Sequence, residues 1–104
     1  MIIDHRTYTI AHGRSQEYLQ LFEREGLPVQ LKHLGGLVGY FQTIHGPLNQ
    51  IVHLWQYESL ADMEKRRAAR DADPAWAAYK RQSAGMLTAQ ENKILAGTRF
   101  SPLQ

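Results

Sequence analysis

Five histidines, all within the first 53 residues, are the side chains best suited to moving protons or binding a metal near neutral pH. They are His5, His12, His33, His45 and His53. His5 and His53 fall on predicted strands that should be neighbours, and a histidine pair can transfer a proton or ligate a metal. No carboxylate or other possible third ligand has a sequence spacing from these two histidines that indicates a metal site. The simpler interpretation is therefore favoured, in which each histidine is exposed or hydrogen-bonded within a packed sheet, and we predict no metal site and no cofactor.

A second candidate set is aromatic and would lie between a sheet and its helices. Its members are Tyr40, Trp55, Trp76 and Tyr79. Apolar walls with one or two polar groups are what a small aromatic ligand needs. We predict ligand-binding roles for Tyr40, Trp55, Trp76 and His5, with His53 as the candidate catalytic residue. The same aromatic side chains also fit an ordinary core, since such stripes at strand or helix spacing are usually packed there.

Length and composition limit the function classes. The chain has 104 residues, which corresponds to one domain, residues 1–104. Its net charge of +2 is too small to indicate nucleic-acid binding. Because there is no cysteine, disulfides and thiolate chemistry are excluded. The N-terminus lacks a signal-peptide pattern and no stretch approaches the ~20 apolar residues of a membrane span, so we expect a cytoplasmic protein.

The element that must position these side chains is a predicted central strand, Gln50–Tyr57, which β-branched, aromatic and leucine residues fill almost without a gap. Side chains alternate along a strand. One face therefore carries Ile51, His53, Trp55 and Tyr57, and the other carries Val52, Leu54 and Gln56. Neither face is polar throughout, so both must be covered.

A preceding strand is predicted over Leu37–His45, joined to the central strand by a four-residue turn with Pro47 at its second position. This turn sets a register in which Tyr40 lies beside Trp55 and Gln42 beside His53.

Helical periodicity predicts a first helix that Ser15 caps. Its apolar stripe slips near Gly26 and Pro28, where we expect a kink or two short helices. Gly35 and Gly36 should end this region.

A second helical region is predicted after Ser59, with a break before Asp73, which caps a further helix that starts at Pro74. Its predicted inward residues are small or aliphatic: Leu60, Ala61, Ala68 and Ala72. The basic cluster between Lys65 and Arg70 is interpreted as a solvated helix end.

Adding a first strand at Ile2–Ile10 and a last strand at Lys93–Phe100 gives the order β-α-β-β-α-β, which is the ferredoxin-like sandwich of the α+β class. Strands one and three then lie at the sheet centre, with both helical regions on one face. Nothing in the chain covers the other face. Both parities of strands two and three carry large apolar groups, namely Tyr40 and Phe41, and Leu54 and Trp55. An uncovered face would therefore expose an apolar patch of the kind that marks an interface. We predict a homodimer in which two open sheet faces meet.

Several segments resemble the NIPSNAP family, and the resemblance covers nearly the whole chain. They are residues 46–62 (GPLNQIVHLWQYESLAD), Asp73-Pro74-Ala75-Trp76, residues 90–95 (QENKIL) and Phe100-Ser101-Pro102. The resemblance implies a dimeric α/β barrel, in agreement with the predicted homodimer. Bacterial members are mostly uncharacterised, so the resemblance implies the fold more strongly than the function.

Two kinds of function remain open. The first is a non-catalytic homodimeric module that binds a small hydrophobic or aromatic ligand or only holds the dimer, and it is slightly favoured because no catalytic constellation stands out. The second follows from other dimeric α/β-barrel families, which include cofactor-independent monooxygenases. Such an enzyme would act on a small aromatic substrate, with His53 or His5 as the base and Trp55 and Tyr40 as walls. A haem-degrading enzyme is disfavoured, since it commonly needs a histidine on the last helix and none follows His53.

Overall fold

Four antiparallel strands form a single sheet in the computed structural model, which describes residues 1–104. The strands are β1 (Ile2–Ile10), β2 (Leu37–Gln42), β3 (Gln50–Tyr57) and β4 (Leu87–Ala96), in the spatial order β2-β3-β1-β4. The helices are α1 (Ser15–Leu21), a π-helix (Phe22–Gly26), α2 (Leu27–His33), α3 (Leu60–Asp71) and α4 (Pro74–Gln82). The α+β class and the central position of β1 and β3 agree with the prediction. None of the helices combines the length and apolar character needed to cross a membrane.

The two faces of β3 differ as the alternation predicts. Ile51, His53, Trp55 and Tyr57 are all buried, and the apolar members join helix residues in the core. On the opposite face Val52 and Leu54 are half-buried, and Phe41 of the neighbouring strand is 56% exposed. The helices therefore pack on one side of the sheet, and the side chains that could do chemistry share that covered side.

The predicted register between β2 and β3 is wrong. Tyr40 lies opposite His53, and Leu37 lies opposite Trp55. The cause is the connection, because β2 ends at Gln42 and residues 43–49 form a longer loop than the predicted turn. From Tyr40 to Gln42 the partner residue is displaced by two, so these side chains keep their predicted faces. An irregularity between Leu37 and Gly39 changes the register at the start of β2.

The slip in the first helical stripe is a π-helical segment, Phe22–Gly26, between two α-helical pieces. The wider turn of a π-helix shifts the apolar stripe around the axis, which explains the change of register near Pro28. Gly26 is buried here, and a Cβ atom on it would lie 2.7 Å from Phe22 Cδ1 and 3.0 Å from Tyr79 Cε1. The glycine thus lets the first helical region approach α4 closely.

Three of the four predicted helix boundaries agree with the structure. Ser59 Oγ accepts a hydrogen bond from the Asp62 amide, and Asp73 Oδ1 accepts one from the Ala75 amide, so both predicted caps are confirmed. Gly35, at φ +71°, follows the last turn of α2, as predicted. The predicted Ser15 cap is wrong, since Arg14 occupies the cap position and makes no side-chain capping bond.

The predicted inward face of α3 is also wrong. All four small or aliphatic residues proposed for it are exposed: Leu60, Ala61, Ala68 and Ala72. The half-buried Met63 and Arg67 and the buried Arg70 turn inward instead. Arg70 lies inside because its guanidinium stacks over Trp76 at 4.6 Å, bonds Asp71 Oδ1 at 2.9 Å, and donates to Gln30 Oε1 at 3.2 Å. A long arginine can bury its stem while its charge is satisfied, which the amphipathic pattern does not anticipate.

The predicted bounds of the last strand, Lys93–Phe100, are wrong, because β4 spans Leu87–Ala96 and pairs with β1 along its length. Its middle is polar, and every residue after Leu87 is exposed. An edge strand that buries few side chains has no strong apolar alternation, so its bounds were misplaced.

Candidate functional site

Polar side chains from β1 enter the covered face of the sheet next to His53. Asp4 is 2% exposed, and its carboxylate accepts from Arg6 Nη1 at 3.0 Å and from Asn92 Nδ2 at 3.0 Å. Arg67 Nη1 lies 3.8 Å from the same carboxylate. A buried carboxylate requires such partners, because desolvating an unpaired charge is costly. Asp4 and Arg6 are not among the predicted site residues, although their spacing of two along β1 gives them a common face.

His53 is held between aromatic rings. Its side chain is 1% exposed. The ring of Tyr40 stacks on it with centroids 4.7 Å apart, and Tyr8 meets it edge-on at 4.6 Å. Both contacts follow from the sheet, since Tyr40 and Arg6 are the cross-strand partners of His53 and Tyr8 lies two residues beyond Arg6. The imidazole is therefore held in one position between aromatic rings.

A hydrogen bond within β3 determines the tautomer of His53. Trp55 Nε1 donates to His53 Nδ1 at 2.7 Å, and an indole N–H has no capacity to accept. Nδ1 is thus the acceptor, and the neutral ring carries its proton on Nε2. His53 Nε2 is buried with no hydrogen-bond partner in the protein. It is consequently a free donor.

Burial, reinforced by the positive charge of Arg6, lowers the pKa of His53 from the ordinary 6.5 to about 3. The imidazole is neutral at neutral pH. Its one lone pair is occupied by Trp55, and its remaining nitrogen carries a proton. In this arrangement His53 can donate a hydrogen bond but cannot accept a proton without breaking the bond from Trp55.

A cavity of about 230 Å³ opens beside His53, between the sheet and the helices. Its aromatic walls are Tyr8, Tyr18, Phe22, Trp76 and Tyr79. Gln30, Lys80 and Ser83 add polar atoms to the lining. Tyr79 Oη donates to Tyr18 Oη at 3.2 Å, and burial raises the pKa of both phenols well above its ordinary value. Both hydroxyls stay protonated and neutral, so the walls supply no ionised phenolate.

The five predicted site residues divide into three groups. His53 and Trp76 line the cavity. Trp55 bonds to His53, and Tyr40 stacks on it, but Tyr40 lines a separate groove of about 320 Å³. His5 lies opposite Leu54, on the other face of the sheet.

His5 and His53 therefore do not form the pair considered from the sequence, although their strands are neighbours. The two histidines have opposite parity in the β1–β3 register, and side chains of opposite parity leave opposite faces. No three histidine, aspartate or glutamate side chains lie close enough together to hold a metal ion.

The fold and site define a single-sheet α+β protein with an aromatic cavity under its helices. The NIPSNAP family model matches residues 3–102, and the chain therefore belongs to the NIPSNAP family. It is similar to protein Atu4242 from Agrobacterium tumefaciens, with 43% identity, a TM-score of 0.96 and coverage of 100% of both chains.

Curated relatives are longer proteins. Human Protein NipSnap homolog 3A is 40% identical over 68 residues, a match that covers 65% of this chain. The match spans only 28% of the human protein. A more distant structure, a candidate antibiotic biosynthesis monooxygenase from Nitrosomonas europaea, is 13% identical with a TM-score of 0.68 and coverage of 93% of this chain and 98% of that one. At this identity the similarity extends to the fold alone.

The low pKa of His53 makes stability depend on pH. Because the folded pKa of about 3 lies below the ordinary 6.5, the unfolded chain binds more protons between these values, and the free energy of unfolding falls as pH falls. From pH 6.5 to 4.5 we expect His53 to account for a loss of about 2–3 kcal/mol. Urea unfolding at both pH values measures it.

The His53→Gln variant removes this titration and should lose less stability than wild type over the same interval. Exposed His12 is the matched control, and His12→Gln should keep the wild-type pH dependence. Equal losses in wild type and His53→Gln would contradict the neutral, buried imidazole.

Proposed function

We propose that this protein is a homodimeric module that binds a small aromatic ligand in the cavity beside His53. The observation that carries the proposal is the buried Nε2–H of His53, which has no partner in the protein and belongs to a side chain that lines the cavity. A buried donor without a partner costs about 1–3 kcal/mol. A bound group with an acceptor atom would remove this cost, so the site favours a ligand with an aromatic body and one polar end.

Cavity size supports a ligand of about one ring. The volume of about 230 Å³ lies below the roughly 300–1,000 Å³ of pockets for drug-sized molecules. Five aromatic side chains line it and could contact both faces and edges of a planar ring. A large polycyclic compound exceeds this space.

The alternative function, a cofactor-independent monooxygenase with His53 as base, has weaker support. Nδ1 already accepts from Trp55, and Nε2 carries a proton. His5, the other candidate base, lies on the opposite face from the cavity. The candidate monooxygenase from Nitrosomonas europaea is similar in fold only, so its name does not supply a reaction for this chain.

The proposed homodimer is supported by the apolar side chains on the uncovered face of the sheet. The molecule is only 19 Å thick along its shortest axis, which matches one sheet and one layer of helices. On the open face Phe41 is 56% exposed and Leu95 is 38% exposed. A second copy placed face to face would cover these apolar groups, as in a dimeric α/β barrel. The cytoplasmic location stays a prediction from the sequence.

A charge at the centre of the open face should prevent association. Leu54 is half-buried on this face of β3, and Leu54→Asp would place a carboxylate in the proposed interface. Burying an unpaired carboxylate costs several kcal/mol, enough to dissociate a dimer at micromolar concentration. Light scattering after size exclusion measures the mass. Leu60→Asp, on exposed α3, is the control and should stay dimeric; a monomeric wild type or a dimeric Leu54→Asp would contradict the proposal.

Filling the cavity mouth should abolish ligand binding. Ala84 lines the cavity and is exposed, whereas Ala77 is exposed on α4 outside the lining. Saturation-transfer NMR with a panel of one-ring aromatic compounds should detect binding to wild type and to Ala77→Trp. Ala84→Trp should weaken binding at least tenfold, or about 1.4 kcal/mol. No binding to wild type, or undiminished binding to Ala84→Trp, would contradict the cavity as the site.

A further inference from the structure

The only formal charge in the cavity lining is positive. Among the residues that form it there is no aspartate or glutamate, and Lys80 is the only side chain with a formal charge at neutral pH. Charged groups in a concave, low-dielectric site act more strongly than at a flat surface. Lys80 alone would therefore favour an anion over a cation in the same space.

Two guanidinium groups directly behind the wall add to this positive charge. Arg6 Nε donates to Tyr8 Oη at 3.1 Å, and Arg70 lies over the ring of Trp76 at 4.6 Å. Their acidic partners offset them only in part. Asp4 is shared between Arg6 and Arg67, and the Asp71 side chain that pairs with Arg70 is 60% exposed and so is screened by solvent. The balance of nearby charge therefore favours an anion in the cavity.

Hydrogen-bond donors also outnumber free acceptors there. His53 offers Nε2–H. Gln30 is 4% exposed and its Oε1 already accepts from Arg70, so its NH₂ group is what remains for a ligand. Tyr18 Oη accepts from Tyr79 Oη and is therefore already used as an acceptor. A ligand that accepts several hydrogen bonds through one oxygen-rich end matches this set.

We propose that the ligand is a small aromatic carboxylate, whose oxygens accept from His53 Nε2 and the Gln30 amide while its ring lies among the aromatic walls. This proposal rests on the proposed function and specifies its ligand class. Lys80, in the cavity lining, supplies the positive charge that balances the ligand carboxylate. The alternative ligand is an aromatic cation, since aromatic walls also attract cations through their ring faces.

Three one-ring probes of similar size and different charge test the proposal on the wild-type protein. They are benzoate, benzyl alcohol and benzylamine, titrated at pH 7.5 into ¹⁵N-labelled protein with backbone chemical shifts as the readout. A hydrogen bond to a charged group is stronger than one to a neutral group, so benzoate should bind at least about tenfold more tightly than benzyl alcohol. Benzylamine should bind most weakly.

Variants locate the charge preference. Lys80→Gln should weaken benzoate binding about two- to fivefold, as expected for an exposed charge, and leave benzyl alcohol unchanged. Lys65→Gln, on exposed α3 outside the cavity, is the matched control and should bind like wild type. His53→Phe keeps an aromatic ring but removes the donor, and should reduce the preference for benzoate over benzyl alcohol. If His53→Phe does not fold, the probe series and the lysine pair still decide the question.

The outcomes separate the two proposals. Equal affinity for the three probes, or tightest binding of benzylamine, would overturn the carboxylate proposal while leaving an aromatic-binding cavity in place. Binding of none of them would overturn both proposals. Tightest binding of benzoate with equal loss in Lys80→Gln and Lys65→Gln would contradict the assigned role of Lys80 at the cavity.

Discussion

The hydrogen bond from Trp55 to His53 is the constraint on which the chemistry of the covered sheet face depends. Both side chains are 1% exposed and lie two residues apart on the same face of β3. Because the indole can only donate, it fixes the imidazole in one tautomer and leaves Nε2–H as the group that faces outward from the pair. Desolvation then keeps the ring neutral. A histidine that would be a versatile acid or base at the surface becomes a fixed donor.

The rest of the fold builds an aromatic enclosure around that donor. Phe22 stacks on Tyr40 at 4.8 Å and meets Tyr79 edge-on at 6.0 Å, so it connects the first helical region with β2 and with α4. Phe22 opens the π-helical segment that changes the direction of the apolar stripe, and Gly26 closes it where a side chain would strike Tyr79. The local irregularity in the helix thus shapes the cavity wall.

Sequence patterns predicted those parts of the fold that burial dictates. The alternation in β3 identified which side chains share a face, and the cap at Asp73 identified the start of α4, because both depend on local spacing. The bounds of β4 were misplaced since its exposed middle carries no apolar alternation. The inward turn of Arg70 depends on Trp76 and Gln30, which are distant or unpatterned in sequence. Local sequence patterns do not predict a buried charge that is satisfied by contacts formed only in the folded protein.

The candidate site was predicted only in part for the same reason. Periodicity grouped His53 and Trp55, but it does not specify that the two side chains bond to each other, nor that this bond removes the lone pair a base would need. The buried Asp4–Arg6 pair follows from the β1–β3 register, which sets Arg6 opposite His53. Strand parity also separates His5 from the site, a result that depends on which residues face each other across the sheet.

The most direct test of this account is two-dimensional ¹⁵N NMR of the imidazole nitrogens of His53 in the wild-type protein, followed from pH 7.5 to pH 4. The shifts should show an unprotonated Nδ1 and a protonated Nε2, with no change to imidazolium across this range. A protonated Nδ1 at neutral pH, or conversion to imidazolium near the ordinary histidine pKa of 6.5, would contradict the account. Either result would return His53 to the set of possible general bases, and a neutral ring protonated on Nδ1 would also lack the free Nε2 donor.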